Sequence, residues 1–236
     1  MRLDKYIFEK FDLQSRNKAL ELIKDAKVLV NGKTILKPSF FVEDSFHVEV
    51  NTEQFYVSRS ANKLKFFLEE IKDMELGGLD ALDIGSSTGG FTQILLESGV
   101  KSVTCVDVGS NQLHETLKEN EKIEFFENCD IRYFRSQKRF DIVTCDVSFI
   151  SVNDILEDID RLSNKKIIVL FKPQFEVGKN VKRDNHGVVK SLDEIDLAKK
   201  RFEANCASLG WKLIYNNESQ VKGKKGNIEE LYYFEK

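Results

Sequence analysis

An apolar run ending at Asp83 is followed by a glycine-rich loop with Gly85, Ser86, Ser87, Gly89 and Gly90, and then by Phe91 and Thr92 opening a helix-like stretch. A strand, a tight glycine turn and a helix in that order make a pocket for a nucleotide-type ligand. Three ligands compete for it. A phosphate-binding loop for ATP or GTP ends in Gly-Lys-Ser/Thr, and this loop holds no lysine. A dinucleotide fold wants G-x-G-x-x-G, and the loop reads G-S-S-T-G-G. S-adenosylmethionine has no phosphates, so it needs close backbone approach and hydrogen bonds instead of an anion cradle. An acid at the strand end suits its ammonium group, and Asp83 stands there. Asp107 lies 22 positions beyond Gly85, at the end of the run SVTCVDV, where a carboxylate can accept from both ribose hydroxyls. Dinucleotide folds use the same device, so Asp107 alone does not discriminate. Asp130, after the third strand-like run, either reaches the adenine or is a solvated loop acid or helix cap. S-adenosylmethionine is the expected cofactor, with Asp83, Gly85, Ser86, Ser87, Gly89, Gly90, Phe91, Asp107 and Asp130 as its candidate holders.

Further along, Asp146 ends the run FDIVTCD and Lys172 ends IIVLFK. Open α/β sheets bind ligands at the carboxyl ends of their strands, so both side chains belong near the same pocket. Taken without context, each is also an ordinary strand-end acid or snorkelling lysine.

The elements that must position these groups are an alternation from about residue 58 onward. ALDI, SVTCVDV, IEFF, FDIVTCD and KIIVLFK read as strands, with helices expected near 88–98, 110–120 and 150–162. That order predicts a parallel sheet covered by helices. A last helix over 192–208 starts at a Ser191/Glu194 capping box and stops at Gly210. WKLIYN and EELYYFE complete seven strands, the last two antiparallel. The fold class expected is a Rossmann-like α/β unit over 58–236, mostly parallel, preceded by a linker at 51–57 and a small α+β unit at 1–50. In that first unit, RLDKYIFEKF and SRNKALELIKDAK have helical spacing. KVLVNGKTI reads as a strand, an Asn-Gly turn and a strand, and HVEV as a closing strand.

Composition narrows the possibilities. Hydrophobic residues make up 41% of the 236, enough for ordinary cores, and the net charge of −3 rules out a globally basic nucleic-acid binder. Over residues 1–40, however, nine Lys and Arg stand against five Asp and Glu. The four cysteines form no C-x-x-C pair, and the three histidines are too scattered for a zinc set, so reduced thiols and no metal are expected. No apolar run approaches the ~18 residues of a membrane helix, and MRLDKYIFEKF offers no signal segment. The chain reads as cytoplasmic.

DIGSSTGGFTQ, VDVG, CDVSFIS, KPQFEVG and GNIEE, in this order, resemble the TlyA family of rRNA methyltransferases, itself similar to the RrmJ/FtsJ ribose 2′-O-methyltransferases. The resemblance implies a class I methyltransferase domain and a Lys-Asp-Lys-Glu catalytic set, carried onto Lys63 in SRSANKL, Asp146, Lys172 and Glu229 in GNIEE. A ribose hydroxyl must lose its proton during attack, and a lysine can accept it. Lys172 is the expected acceptor, Asp146 and Lys63 tune and orient it, and Glu229 holds the substrate or Lys63. RLDKY, SRNKALELIK, VLVNGK and KPS resemble the RNA-binding module of ribosomal protein S-four, with Arg2, Lys5, Arg16, Lys18, Lys24, Lys27 and Lys33 as candidate phosphate contacts. Two departures from that module are Ala26, where a glycine is usual, and EDSFHV in place of a late Gly-Asp. RYFRSQKR, GKNVKRDNHGVVK and KGKK are further basic loops; the second reads as a mobile RNA clamp or as a plain surface loop. Phe91 and Phe149 either stack on a base or pack in the core.

The implied partner is rRNA, within the large ribosomal subunit or its precursor, with a cytidine as target. RLDKY begins at residue 2 and the chain stops soon after ELYYF, which resembles the shorter form of the family. The alternatives are a membrane-active haemolysin-like protein, a label this family carries, and a non-catalytic RNA-binding or assembly factor.

Overall fold

Apolar runs that alternate with amphipathic stretches after residue 79 form one seven-stranded sheet. The computed structural model describes residues 1–236 except 12, 14, 25, 26, 44, 51–55, 72 and 73. It divides into two units, Met1–Phe55 and Tyr56–Lys236. Most of the expected linker and the Ala26 turn lie outside the described residues.

In the first unit, α1 (Leu3–Lys10) and α2 (Arg16–Lys24) accompany a small sheet of β1 (Val28–Val30), β2 (Lys33–Thr34) and β3 (Val48–Val50). The strand order is β2-β1-β3, all antiparallel. Asn31 and Gly32 both take positive φ, 50° and 73°, the turn whose twist matches a two-residue hairpin. Leu3, Ile7, Ala19, Leu22, Ile23, Val28, Val30 and Val42 form the core.

The second unit runs α3 (Arg59–Glu70), β4 (Asp80–Ile84), α4 (Gly90–Glu97), β5 (Ser102–Val106), α5 (Glu115–Lys118), β6 (Ile123–Phe126) and β7 (Phe140–Cys145). A 3₁₀ turn at Val152–Ile155 leads into α6 (Leu156–Leu162), β8 (Ser163–Phe171) and α7 (Pro173–Glu176). Last come α8 (Leu192–Ser208), β9 (Lys212–Glu218) and β10 (Glu230–Glu235). The strand order is β6-β5-β4-β7-β8-β10-β9, parallel except that β10 runs antiparallel to both neighbours. The order reverses between β4 and β7, the switch point where such sheets bind ligands.

Strand alternation splits the core into two layers. Leu82, Ile84, Val143, Cys145, Ile167, Val169 and Phe171 pack with α6 and α8 residues such as Ile159 and Phe202. Ala81, Val103, Ile142, Ile168 and Leu170 face the other way, with Leu64 and Phe67 of α3 and Ile94 and Leu95 of α4.

Two expected elements differ. The helix near 110–120 shrinks to Glu115–Lys118, because Asn111 takes a left-handed φ of 55° and the Gln112 amide donates to Glu127 rather than to a helical carbonyl. The helix α3 was not among those expected, although Ala61, Leu64, Phe67 and Leu68 have its spacing. Ser191 does cap α8, accepting from the Glu194 amide.

Gly90 sets how closely α3 and α4 approach. A Cβ there would sit 2.2 Å from both Ser58 Oγ and Ser60 Oγ and 2.9 Å from the Ala61 backbone nitrogen. Gly90→Val should therefore push α3 outward, destabilising the unit by about 1–3 kcal/mol in urea unfolding. Because α3 carries Lys63, activity should fall further than the stability loss accounts for.

Candidate active site

Four elements deliver the polar groups of the site. Lys63, on the second turn of α3, donates to Glu229 Oε2 at 2.5 Å, and both side chains are buried. Gln174 Nε2 donates to the other Glu229 oxygen at 2.9 Å. Asp146 follows β7 and Lys172 follows β8; Lys172 Nζ lies 2.6 Å from Asp146 Oδ1 and donates to Ser148 Oγ at 2.8 Å. All four charged groups line one cavity of about 690 Å³, together with Ser86, Phe91, Phe149 and the basic side chains of Arg59, Arg183, Lys224 and Lys225. Burial pushes the Asp146 carboxyl up from its ordinary range, opposed by Lys172 and Lys63.

A second cavity, about 310 Å³, adjoins it and shares Gly85, Ser87, Asp146, Ser148 and Phe149. Apolar walls from Ile84, Val106, Ile131 and Ile150 face Asp107, Asp130 and Gln112. Gly85 makes the tight approach possible. Its φ is 76°, and a Cβ would meet the Asp146 carbonyl oxygen at 2.9 Å. Asp107 follows β5 and accepts from the Ser87 and Gly109 amides at 2.8 and 2.6 Å, tying the two loops together. Arg132 grips Asp130, whose carboxyl is held below its usual range by that guanidinium.

Three of the candidate cofactor residues line neither cavity. Asp83 has the parity of Ala81 on β4, so it points at α4 and is fully buried. Its oxygens accept from Thr92 Oγ1 at 2.6 Å and Thr144 Oγ1 at 2.9 Å. It pins strand to helix and does not reach into the pocket. Gly89 caps α4 against Leu113 and Leu117, and Gly90 packs on α3. Phe91 is 2% exposed and belongs to the core, whereas Phe149 is 89% exposed with a left-handed φ of 71°. For a bulky residue that conformation costs roughly 1–2 kcal/mol.

Ser148, Gln174 and Asn227 lie within CDVSFIS, KPQFEVG and GNIEE, and Arg132 opens the basic loop RYFRSQKR, but none of the four is singled out as a site residue by the sequence. Asn227 accepts from the Val189 amide at 3.1 Å and donates to the Gly187 carbonyl, joining the loop before β10 to the loop after α7. Arg183 donates to the Gln174 and Val181 carbonyls, so the 178–190 segment is stitched down along its length. In the first unit, buried Asp4 accepts from Arg2 and Arg16, bringing two guanidiniums to one point. Arg2 holds the Asp4 carboxyl below its ordinary range. Lys5 pairs with Glu9 and Lys18 with Glu21, while Lys24 and Lys33 are exposed and Lys27 is half-buried. Among the described residues, no group of three or more His, Cys, Asp or Glu is placed to hold a metal ion.

This fold and site define a methyltransferase of the Rossmann-like type. Residues 56–236 match the FtsJ-like methyltransferase family and residues 1–45 the S4 domain. The chain is 48% identical to the 23S rRNA (cytidine-2′-O)-methyltransferase TlyA of Campylobacter jejuni, covering 99% of each. It is 33% identical to the 16S/23S rRNA (cytidine-2′-O)-methyltransferase TlyA of Mycobacterium tuberculosis, over 97% of this chain and 87% of that one. A solved structure from Streptococcus thermophilus that bears the hemolysin name superposes with a TM-score of 0.74 at 29% identity, covering 100% of this chain and 88% of that one. The chain belongs to the TlyA family of FtsJ-like methyltransferases.

Burial raises the Asp83 carboxyl to about 6, against the hydrogen bonds from the two threonines. The folded form thus holds a proton that the unfolded chain releases, so stability falls as pH rises from about 4 to about 6, by on the order of 2–3 kcal/mol. Asp83→Asn should remove that slope. Urea unfolding at pH 5 and pH 7.5 checks this; the variant's gain over wild type should be larger at the higher pH.

Proposed function

We propose that the chain is an S-adenosylmethionine-dependent ribose 2′-O-methyltransferase acting on a cytidine of large-subunit rRNA, in the cytoplasm where that RNA is found. The observation that carries this is the pair of buried ion pairs, Lys63–Glu229 and Lys172–Asp146, facing one cavity that opens onto a second of nucleoside size. The smaller cavity fits the cofactor. Asp107 has carboxylate lone pairs for ribose hydroxyls, the Gly85 turn admits close backbone approach, and Ile84, Val106, Ile131 and Ile150 suit a planar base. When bound, S-adenosylmethionine supplies the electrophilic methyl group.

The chain's own residues do the rest. Lys172, as the neutral amine, accepts the ribose 2′-hydroxyl proton, and Asp146 at 2.6 Å orients it. Ser148 holds the amine in place throughout, since a hydroxyl can both accept from an ammonium and donate to an amine. Glu229 fixes Lys63 over the cavity, with Gln174 holding the glutamate. Phe149, exposed at the junction of both cavities and 5.5 Å from the Phe175 ring, offers a face on which the target base stacks. The basic rim of Arg59, Lys224 and Lys225 meets phosphates beside that base. Arg2 and Arg16, held together on Asp4, are the strongest phosphate candidates of the first unit.

The hemolysin name belongs to members of this same family. No described helix is long and apolar enough to cross a membrane. A binding factor without catalysis has no evident use for four largely buried, mutually paired charges facing one cavity, since breaking such a pair is costly and keeping it adds little stability.

Lys172→Ala should abolish labelled-methyl incorporation into unmodified large-subunit rRNA while rRNA binding is retained; near wild-type incorporation would sink the assignment. Reversing charge with Arg16→Glu and Lys18→Glu should weaken rRNA binding and flatten its salt dependence, by about one unit of log–log slope for each phosphate that is no longer neutralised. An unchanged titration would remove the first unit from the RNA interface.

A further inference from the structure

Glu176 is 4% exposed and belongs to neither ion pair. Its carboxylate accepts three hydrogen bonds, from Ser151 Oγ at 2.5 Å, the Val152 amide at 2.8 Å and Asn153 Nδ2 at 3.0 Å. All three donors lie just beyond Phe149, on the segment that follows β7. Glu176 itself ends α7, the turn that starts immediately after Lys172. The carboxylate therefore fastens together the two loops that carry Asp146, Ser148 and Phe149 on one side and Lys172 on the other. From behind, α8 braces the join. Arg201 Nη2 donates to the Glu176 carbonyl at 2.6 Å, and Asn205 Nδ2 donates to Asn153 Oδ1 at 2.8 Å.

Phe149 needs such a fastening. A bulky residue with a φ of 71° persists only where its surroundings over-determine the backbone. With 89% of it exposed, Phe149's own side-chain packing cannot do so. A carboxylate suits the task, since it is acceptor-only and can meet a hydroxyl, a backbone N–H and an amide N–H at once. Glutamine would turn an N–H₂ group toward one of those donors and leave a buried donor facing a donor.

We infer that Glu176 is a positioning residue for methyl transfer. It locks the segment after β7 so that Phe149 is presented to the target base and Ser148 stays on Lys172. This rests on the rRNA methyl-transfer reading of the two cavities.

The test uses the full chain, S-adenosylmethionine with a labelled methyl group, and unmodified large-subunit rRNA under single-turnover conditions. Glu176→Gln should slow transfer about ten- to a hundredfold with rRNA binding unchanged, as expected for a small misplacement of reacting groups. Phe149→Ala should also slow transfer, and the double variant should be no slower than the slower single one. A merely structural role for Glu176 would instead multiply the two losses, and that result overturns the inference. So does wild-type transfer by Glu176→Gln or by Phe149→Ala. Should Glu176→Gln fail to give a folded circular-dichroism spectrum, Ser151→Ala removes one donor without burying an unpaired charge. It should be slowed in the same non-additive way, and a wild-type rate there overturns the inference equally. Lys172→Ala in the same assay separates the two levels. If it stays active, the reading of the site fails; if it is dead while Glu176→Gln is not, only the positioning role fails.

Discussion

Two buried ion pairs constrain everything else in the second unit. Taking a charged lysine or carboxylate out of water costs several kcal/mol per ion, and only close pairing with further hydrogen bonds offsets it. Lys63 with Glu229, and Lys172 with Asp146, meet that requirement with help from Gln174 and Ser148. The four charges come from α3, from the ends of β7 and β8, and from the entry to β10. The antiparallel sense of β10 is what makes this work. Glu230 pairs with Phe171, so the amino end of β10 lies at the same edge of the sheet as the carboxyl ends of β7 and β8. A parallel β10 would have carried Glu229 to the opposite edge, away from Lys63.

The same logic of parity and direction explains what could be read from residues alone. The alternation of strands and helices along the chain, the Asn31–Gly32 hairpin and the Ser191 cap depend on local chemistry within a few residues, and each is visible in the sequence. Asp146 and Lys172 are visible too, because a strand end in an open α/β sheet has a defined destination. Asp83 shows the limit of that rule. It lies one residue short of the strand end, and alternation turns it toward Thr92 and Thr144 and away from the cavity. Ser148, Glu176 and Asn227 lie inside CDVSFIS, KPQFEVG and GNIEE, but they owe their roles to partners 24 to 40 residues away, brought close by the sheet, so the motifs mark them without saying what they do.

Charge in the first unit is organised in the opposite sense. There a single buried carboxylate, Asp4, collects two exposed arginines instead of shielding two buried lysines. The acid subtracts one charge from the local surplus, yet it fixes the planes of two guanidiniums that would otherwise sample many rotamers. Preorganised forks lose less entropy when they meet a phosphate than loose lysines do.

β10 is also the last strand to be made, yet it occupies an interior lane of the sheet, between β8 and β9. In chain order β4 through β8 all precede β10, so Lys63 meets Glu229 only after the parallel strands have been made. Until then β8 is an open edge and the Lys63 amine has no counter-ion. Of the two ion pairs, Lys63–Glu229 is therefore the later to form as the chain is made.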